Sequence, residues 1–349
     1  MNHFFLVFLN KPGINFYIWA LFKALMSKLS SIRKPVEAEM REFERYFNKT
    51  LRTNVPLLKI ILNYIIRRKG KQMRPLLVFL SAALNGKINE STYVAATFVE
   101  LLHTATLVHD DVVDNAQERR GALSINALWN SKIAVLTGDY LLAQGLLISV
   151  EKNSYEMLEI VSEAVQAMSE GELLQLQKAR KLNITEDVYF DIIKMKTAVL
   201  IAACTACGTV SVTNDPDRIR IMKDLGENIG IAFQIRDDLF DYQDNGLTGK
   251  SAGNDIKEKK ITLPLIHALQ EGTPAERKRI LNIIRRKKKT SSEIKEVIEF
   301  VVRQGGTNYA SNMMEKYRDK AFAILDTFED SEIKSSMKEF ITYTTSRAK

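Results

Sequence analysis

Along this chain apolar residues recur every three or four positions, the period of a helix with one buried face. Pro35 precedes such a run from Val36 to Phe47 and suits a first helical position. Pro56 opens a second run, which ends at the basic stretch Arg67-Arg68-Lys69-Gly70. A third extends from about Pro75 to Leu84 and stops at Asn85-Gly86. A fourth starts near Ser91, and long runs then cover residues 124–151, 155–180 and 186–210. Asp215-Pro216 has the form of an N-cap followed by a first-turn proline. Thr273 with Glu276, and Thr290 with Glu293, have capping-box spacing. No alternating run bounded by hairpin turns occurs, so strands are not expected. The pattern predicts an all-α protein, a single large bundle of roughly a dozen helices around a central cleft.

Two of the predicted helices end in the same acidic pattern. Asp110-Asp111-Val112-Val113-Asp114 closes the apolar run Val99 to His109, and Asp237-Asp238-Leu239-Phe240-Asp241 closes the run Ile229 to Ile235. On a helix the first and last aspartates of each pattern lie four residues apart and share a face. Like charges there repel, so a cation is expected between them. A lone D-D-x-x-D is as easily a solvated helix end. Two copies, each after an apolar run, suit divalent ions held between carboxylates and phosphate oxygens, the habit of Mg²⁺. Basic groups flank both copies: Lys71 and Arg74 upstream, Arg119-Arg120 just past the first, and Lys250, Lys257, Lys259 and Lys260 after the second. Arginine forks and lysine point charges are the usual partners of phosphate.

Composition narrows the reading. The chain has 349 residues, 46% of them hydrophobic, and carries a net charge of +8. That is enough apolar material for a full core, and no Pro/Gly/Ser-rich linker divides it. One domain over residues 26–349 is therefore expected. The positive charge fits anionic small molecules, a membrane surface or nucleic acid. No nucleic-acid motif is present, so nucleic acid is not expected as a partner. Arg285-Arg286-Lys287-Lys288-Lys289 lies between two capped helices and reads as a solvated loop before it reads as a lipid patch. The two cysteines, Cys204 and Cys207, offer no disulfide framework and point to a reducing, cytoplasmic setting. Their Cys-x-x-Cys spacing sits in an Ala-rich helical run with no second pair, which favours buried packing over a metal site.

Taken together, several stretches resemble the trans-isoprenyl diphosphate synthases, or polyprenyl synthetases, and most of all the octaprenyl type that builds quinone side chains. They are Gly70 to Pro75, Leu102 to Asp114, Arg119-Arg120-Gly121, Gly138-Asp139, Lys196-Thr197, Gly230 to Asp241, Gly249-Lys250 and Gly253-Asn254-Asp255. The resemblance spans about residue 30 to the C-terminus and implies the helical isoprenoid synthase fold. It implies that Lys71, Arg74, His103 and Arg120 bind isopentenyl diphosphate. Asp110, Asp114 and Asp237 are implied to be ligands of two or three Mg²⁺ ions that grip the allylic diphosphate, with Asp111, Asp238 and Asp241 in support. Arg119, Lys196 and Lys260 would neutralise the same diphosphate, and Thr197 and Gln234 would steady the allylic cation through their dipoles. Read alone, His103 is an ordinary packing residue and Lys196 a helix-surface lysine.

The same resemblance implies a homodimer, a farnesyl diphosphate starter and peripheral contact with a membrane. Product length would be set below the first cluster, where Ala105, Leu102 and Phe98 form a strip beside the carboxylate face. Short-chain relatives carry a large aromatic five residues before the first aspartate. Ala105, followed by Thr106, leaves that place open and implies a medium-to-long product. Three other readings compete. A class I terpene cyclase shares the first motif but does not need the Lys71–Arg74 site. A non-catalytic subunit of a heteromeric synthase typically loses acidic residues that are intact here. A His-Asp phosphohydrolase, suggested by His109-Asp110, lacks a second histidine placed to wrap the same metal.

Residues 1–25 are apolar but are split by Pro12-Gly13, and neither piece approaches the roughly 20 residues of a membrane span. A small-residue cleavage pattern is missing. Translation is therefore expected to start at Met26. Mass analysis of the native N-terminus reads this directly, and a mature chain that begins at Met1 overturns it.

Overall fold

The computed structural model describes residues 28–68, 70–119, 121–181, 184–242 and 253–346. The apolar leader and Met26 lie outside this range, as do Lys69, Arg120 and the stretch that holds Gly249-Lys250. Helices dominate the described residues, and local caps set many of their boundaries. The first acidic helix, Glu90–Val113, begins at a capping box in which Asn89 and Thr92 each bond the other's backbone. The second, Pro216–Phe240, begins as predicted with Asp215 accepting from two backbone amides and Pro216 in the first turn. Both predicted capping boxes, Thr273 with Glu276 and Thr290 with Glu293, are formed.

Three expectations change. Pro35 lies in a 3-10 turn, Lys34–Val36, that links residues 28–33 to the helix Glu37–Thr50. The run 124–151 divides into Ile125–Trp129 and Ser131–Glu151, because Asn130 takes a φ of 92° and caps the second helix. Strands were not expected, yet Glu118–Arg119 and Ala122–Leu123 pair as a minimal antiparallel hairpin. Two residues per strand are too few for an alternation signal, and Gly121 at φ 70° makes the turn.

A helix of small side chains occupies the middle. In Val199–Val210 the residues Ala202 to Thr209 are all buried. It packs against Met73–Asn85, Glu90–Val113, Tyr155–Lys181 and Pro216–Phe240, so both acidic helices are its neighbours. Close approach explains the composition. A Cβ on Gly230 would lie 2.5 Å from the Ala198 Cα, and one on Gly226 would lie 2.6 Å from the Ala202 Cα. On the other flank, a Cβ on Gly208 would lie 2.4 Å from the Val78 carbonyl oxygen. Cys204 and Cys207 belong to this helix and are buried thiols, as their setting predicted. Burial pushes the Cys204 thiol up to about 12 and raises Cys207 as well. A second apolar cluster, built on Leu263, Leu265, Ile284, Val297 and Val301, supports the far side of the second acidic helix.

Gly230→Ala forces backbone apart rather than displacing a flexible side chain. It should lower stability by about 1–3 kcal/mol, seen as a lower urea midpoint with an unchanged slope.

Candidate active site

The last turn of the first acidic helix sorts its carboxylates. Asp110 is half-buried and Asp114 is exposed, on one face as the spacing required. Asp111 turns inward, 4% exposed, and accepts from Arg119 Nε at 2.5 Å. The minimal hairpin is what returns Arg119 to this place, eight residues on. Burial raises the Asp110 carboxyl, and the charges of Glu172 and Asp114 add to the rise while Lys196 and Arg119 oppose it. Burial likewise raises Asp111, against the Arg119 bond.

The second acidic helix is sorted the same way. Asp237 is exposed. Asp238 is 5% exposed, and both its oxygens are taken, by the Tyr189 hydroxyl at 2.6 Å and by Gln234 Nε2 at 2.8 Å. Burial pushes its carboxyl up to about 8. Asp241 accepts backbone N–H groups from Asn254 at 2.7 Å and Asp255 at 3.0 Å, and so holds the start of the short helix Asn254–Lys257. Of the six aspartates read from the motifs, three are therefore open and three already have protein partners. The tied ones, Asp111, Asp238 and Asp241, position their neighbours.

Two features connect the clusters. Lys194–Ala198 is a single π-helical turn between Glu186–Ile193 and Val199–Val210. Such turns insert one residue and re-aim the side chains on either side. Here the turn carries Lys196 and Thr197. Lys196 pairs with Glu172, lies 3.5 Å from Gln175 Oε1, and opposes the burial-driven rise at Asp110. Thr197 donates to Gln234 Oε1 at 2.8 Å, one turn before Asp238. One side chain thus faces the first cluster and its neighbour the second. Lys260 closes the other edge, bonded to Glu258 at 2.5 Å and 4.0 Å from Asp255. Burial works against its charge, but Glu258, Asp255 and Asp114 outweigh burial and raise its pKa. Lys260 therefore feels a carboxylate from each side. Burial, and then Asp241, push Asp255 up to about 6.

The upstream basic residues have partners on two elements. Arg74 Nη1 is 2.8 Å from His103 Nε2, so the start of the Met73–Asn85 helix meets the first acidic helix seven residues before Asp110. Lys71 is exposed and donates to the Tyr343 hydroxyl at 2.8 Å. Arg120 lies outside the described residues. A cavity of about 110 Å³ is lined by Gln72, His103, Asp111 and Arg119 together with Tyr64, Leu107, Val108 and Ile125. It has room for a small hydrocarbon group next to cationic side chains. The proposed length-setting strip is closed into the main core, with Ala105, Leu102 and Phe98 at 0%, 1% and 3% exposure, and Thr106 half-buried beside it. His109 packs over Gly138, where a Cβ would lie 2.2 Å from its Nε2. That nitrogen is 3.3 Å from the Val135 carbonyl and 3.4 Å from Asp139, which leaves it turned to the neighbouring helix.

Three contributors escaped the motifs: Glu172 and Gln175 reach the site from Tyr155–Lys181, and Tyr189 from Glu186–Ile193. Asp255, in the matched stretch Gly253–Asp255 but given no role there, joins from Asn254–Lys257. Gly171-Glu172-x-x-Gln175 puts both polar groups on one helical face, a signal the sequence carries but does not distinguish from solvated surface. Among the described residues no three His, Cys, Asp or Glu side chains are placed to hold an ion by themselves.

The polyprenyl synthetase family model matches residues 55–301. The chain belongs to the polyprenyl synthetase family. It is thus a prenyltransferase of the trans-prenyl diphosphate synthase kind, and its all-α fold agrees with its neighbours. It is 33% identical to octaprenyl diphosphate synthase of Escherichia coli over 304 residues, 87% of this chain and 94% of that one. The polyprenyl synthase of Caulobacter crescentus, solved with calcium and isoprenyl diphosphate, is similar with a TM-score of 0.84 and 34% identity, covering 92% of this chain and 98% of that one. A decaprenyl diphosphate synthase from Rhodobacter capsulatus gives a TM-score of 0.87 at 30% identity, covering 92% and 99%.

The sorting of the synthetase's carboxylates is testable. Asp241→Ala should speed hydrogen exchange at the Asn254 and Asp255 amides by roughly tenfold or more, since two charge-assisted bonds are lost. Asp237→Ala should leave both amides protected.

Proposed function

We propose that this synthase condenses isopentenyl diphosphate repeatedly onto an allylic diphosphate, with farnesyl diphosphate as the expected starter. The product is a medium-to-long trans-polyprenyl diphosphate for a quinone side chain. One observation carries the reading: Lys260 feels Asp114 of the first cluster and Asp255 beside the second, and Asp255 feels Asp237, so the open carboxylates of both helices act on one set of charges. The octaprenyl and decaprenyl identities of the relatives support a long product.

The open carboxylates fit a hard divalent ion. They are oxygen donors, burial already disfavours their charge at Asp110, and too few converge to enclose an ion without further oxygens. A diphosphate supplies those oxygens, and calcium with isoprenyl diphosphate in the Caulobacter relative supports the pairing. Two or three Mg²⁺ ions bound by Asp110, Asp114 and Asp237 would stabilise the negative charge that builds on the leaving diphosphate.

The chain's own residues do the rest. Lys196, Lys260 and Arg119 present fixed positive charge to that diphosphate. Lys71, Arg74 and Arg120, with His103 held by Arg74, seat the second diphosphate, so its double bond meets the allylic carbon. Thr197 and Gln234 turn oxygen dipoles to the allylic cation. Apolar side chains below Asp110 exclude water, which would otherwise trap the cation. The proton lost from the lengthened chain goes to the departing diphosphate. Growth past the first cluster needs the core strip at Ala105, Leu102 and Phe98 to part around the tail.

The homodimer reading is supported by the Ser131–Glu151 helix. It is 21 residues long and apolar enough to cross a membrane, and 39% of its most apolar window is buried. Leu136, Leu146, Leu147 and Val150 lie exposed along it, and Leu173 and Leu176 are exposed on the next helix. A second copy of the chain covers such a face at least cost. The proposal includes a cytoplasmic setting with peripheral membrane contact through the greasy product.

Incubating the protein with Mg²⁺, farnesyl diphosphate and isopentenyl diphosphate should give a ladder of longer prenyl diphosphates. Free phosphate as the sole product marks a hydrolase, and no turnover favours a non-catalytic subunit. Ala105→Phe should shorten the ladder, and an unchanged ladder refutes the length-setting strip.

A further inference from the structure

Behind Thr197 and Gln234 runs a buried chain of hydrogen bonds. Tyr189 donates its phenol hydrogen to Asp238 Oδ2 at 2.6 Å. The other oxygen of Asp238 accepts from Gln234 Nε2 at 2.8 Å. Gln234 Oε1 in turn accepts from Thr197 Oγ1 at 2.8 Å. Tyr189 and Asp238 are 4% and 5% exposed and so lie out of a substrate's reach. Thr197 and Gln234 are half-buried, in front of them.

With both Asp238 oxygens accepting, as in its ionised form, the direction of every link follows. A carboxylate only accepts, and the phenol beside it can only donate. Asp238 therefore takes the amide NH₂ of Gln234 and rejects its oxygen. A flipped Gln234 would set two oxygens against each other at 2.8 Å. The Gln234 carbonyl must then face Thr197, and Thr197 must spend its single hydrogen on it. What remains at the front of the chain is lone pairs from two oxygens and no hydroxyl hydrogen. That is the dipole orientation a developing carbocation requires.

The anchor is at the far end. Without the phenol, one Asp238 oxygen is left buried with a charge and no donor, and the carboxylate rotates to find one. Gln234 then loses the fixed partner that ruled out its flipped form. Tyr189 can supply this anchor because the Glu186–Ile193 helix is itself fixed at both ends. Thr185 caps its start, and its first residue, Glu186, accepts from Tyr309 at 2.7 Å. Its last residue leads into the π-turn that carries Thr197, so one element sets both ends of the chain.

We propose that Tyr189 is a positioning residue for the transfer step: it locks Asp238, which holds Gln234 and Thr197 oxygen-first toward the allylic cation. The proposal rests on the reading of Thr197 and Gln234 given under the proposed function. It assigns Asp238 to orientation rather than to metal binding.

Two unreactive probes test it without turnover. An allylic thiodiphosphate stays neutral at the carbon bonded to sulfur, whereas an ammonium analogue carries a positive charge at that position. Tyr189→Phe should weaken binding of the ammonium analogue by roughly tenfold, the scale of one hydrogen bond to a charged group. The thiodiphosphate should bind as before, which also reports an intact fold. In steady state kcat should fall by a similar factor with both KM values nearly unchanged, because the interaction is made in the transition state. In a Gln234→Ala background, Tyr189→Phe should have no further effect on kcat. Equal weakening of both probes, an unchanged kcat, or a full Tyr189→Phe effect without Gln234 overturns the proposal. If Tyr189→Phe does not fold, Asp238→Asn breaks the same link, because asparagine can offer hydrogen to a flipped Gln234. The same contrast between probes is then expected, and its absence also overturns the proposal. A wild-type protein that binds neither probe sinks the proposed function itself, and this inference with it.

Discussion

Two helix ends rich in aspartate can share one cleft only if something holds them close against their repulsion. The helix Val199–Val210 does so with small side chains. Its buried alanines, cysteines and glycine let neighbouring backbones approach, to the point where Gly226 and Gly230 of the second acidic helix have no room for a Cβ. Packing on this helix fixes the spacing of the two clusters, because both acidic helices rest on it. The carboxylates then sit where their charges are costly, and the burial-driven rise at Asp110, Asp238 and Asp255 is the electrostatic trace of that placement.

The π-turn at Lys194–Ala198 turns this packing into a site. A regular helix places consecutive residues about 100° apart around its axis. Inserting one residue lets Lys196 reach Glu172 and the field of Asp110 while Thr197 meets Gln234. One local irregularity thus serves both clusters. The cost is a distorted turn, and it is offset by burial on either side, at Ile192 and Ile193 before it and Ala198 and Leu200 around its end.

Each D-D-x-x-D divides its labour. Asp110, Asp114 and Asp237 stay open, while Asp111, Asp238 and Asp241 tie distant segments to the helix ends. Asp111 fixes the hairpin through Arg119, Asp238 fixes the turn through Gln234 and Tyr189, and Asp241 fixes the Asn254–Lys257 segment. Six aspartates that look equivalent in the motif are three open carboxylates and three joints.

The sequence by itself determined the helical class, the caps of the second acidic helix and of two C-terminal helices, and the residue sets at both helix ends. Those features are local: a period of 3.6, a proline after aspartate, a threonine three before glutamate, two carboxylates four apart. The hairpin that delivers Arg119 was not legible, since two residues per strand leave no alternation to read. The π-turn was hidden as well, because Lys194–Ala198 lies inside a continuous helical pattern. The resemblance implied which aspartates are supporting, but what ties each of them, and that Tyr189 and Glu172 join the site, was decided only by tertiary structure. Those roles depend on partners 49 and 62 residues away, Tyr189 from Asp238 and Glu172 from Asp110. A helical period tells which face a residue is on, but not what that face meets.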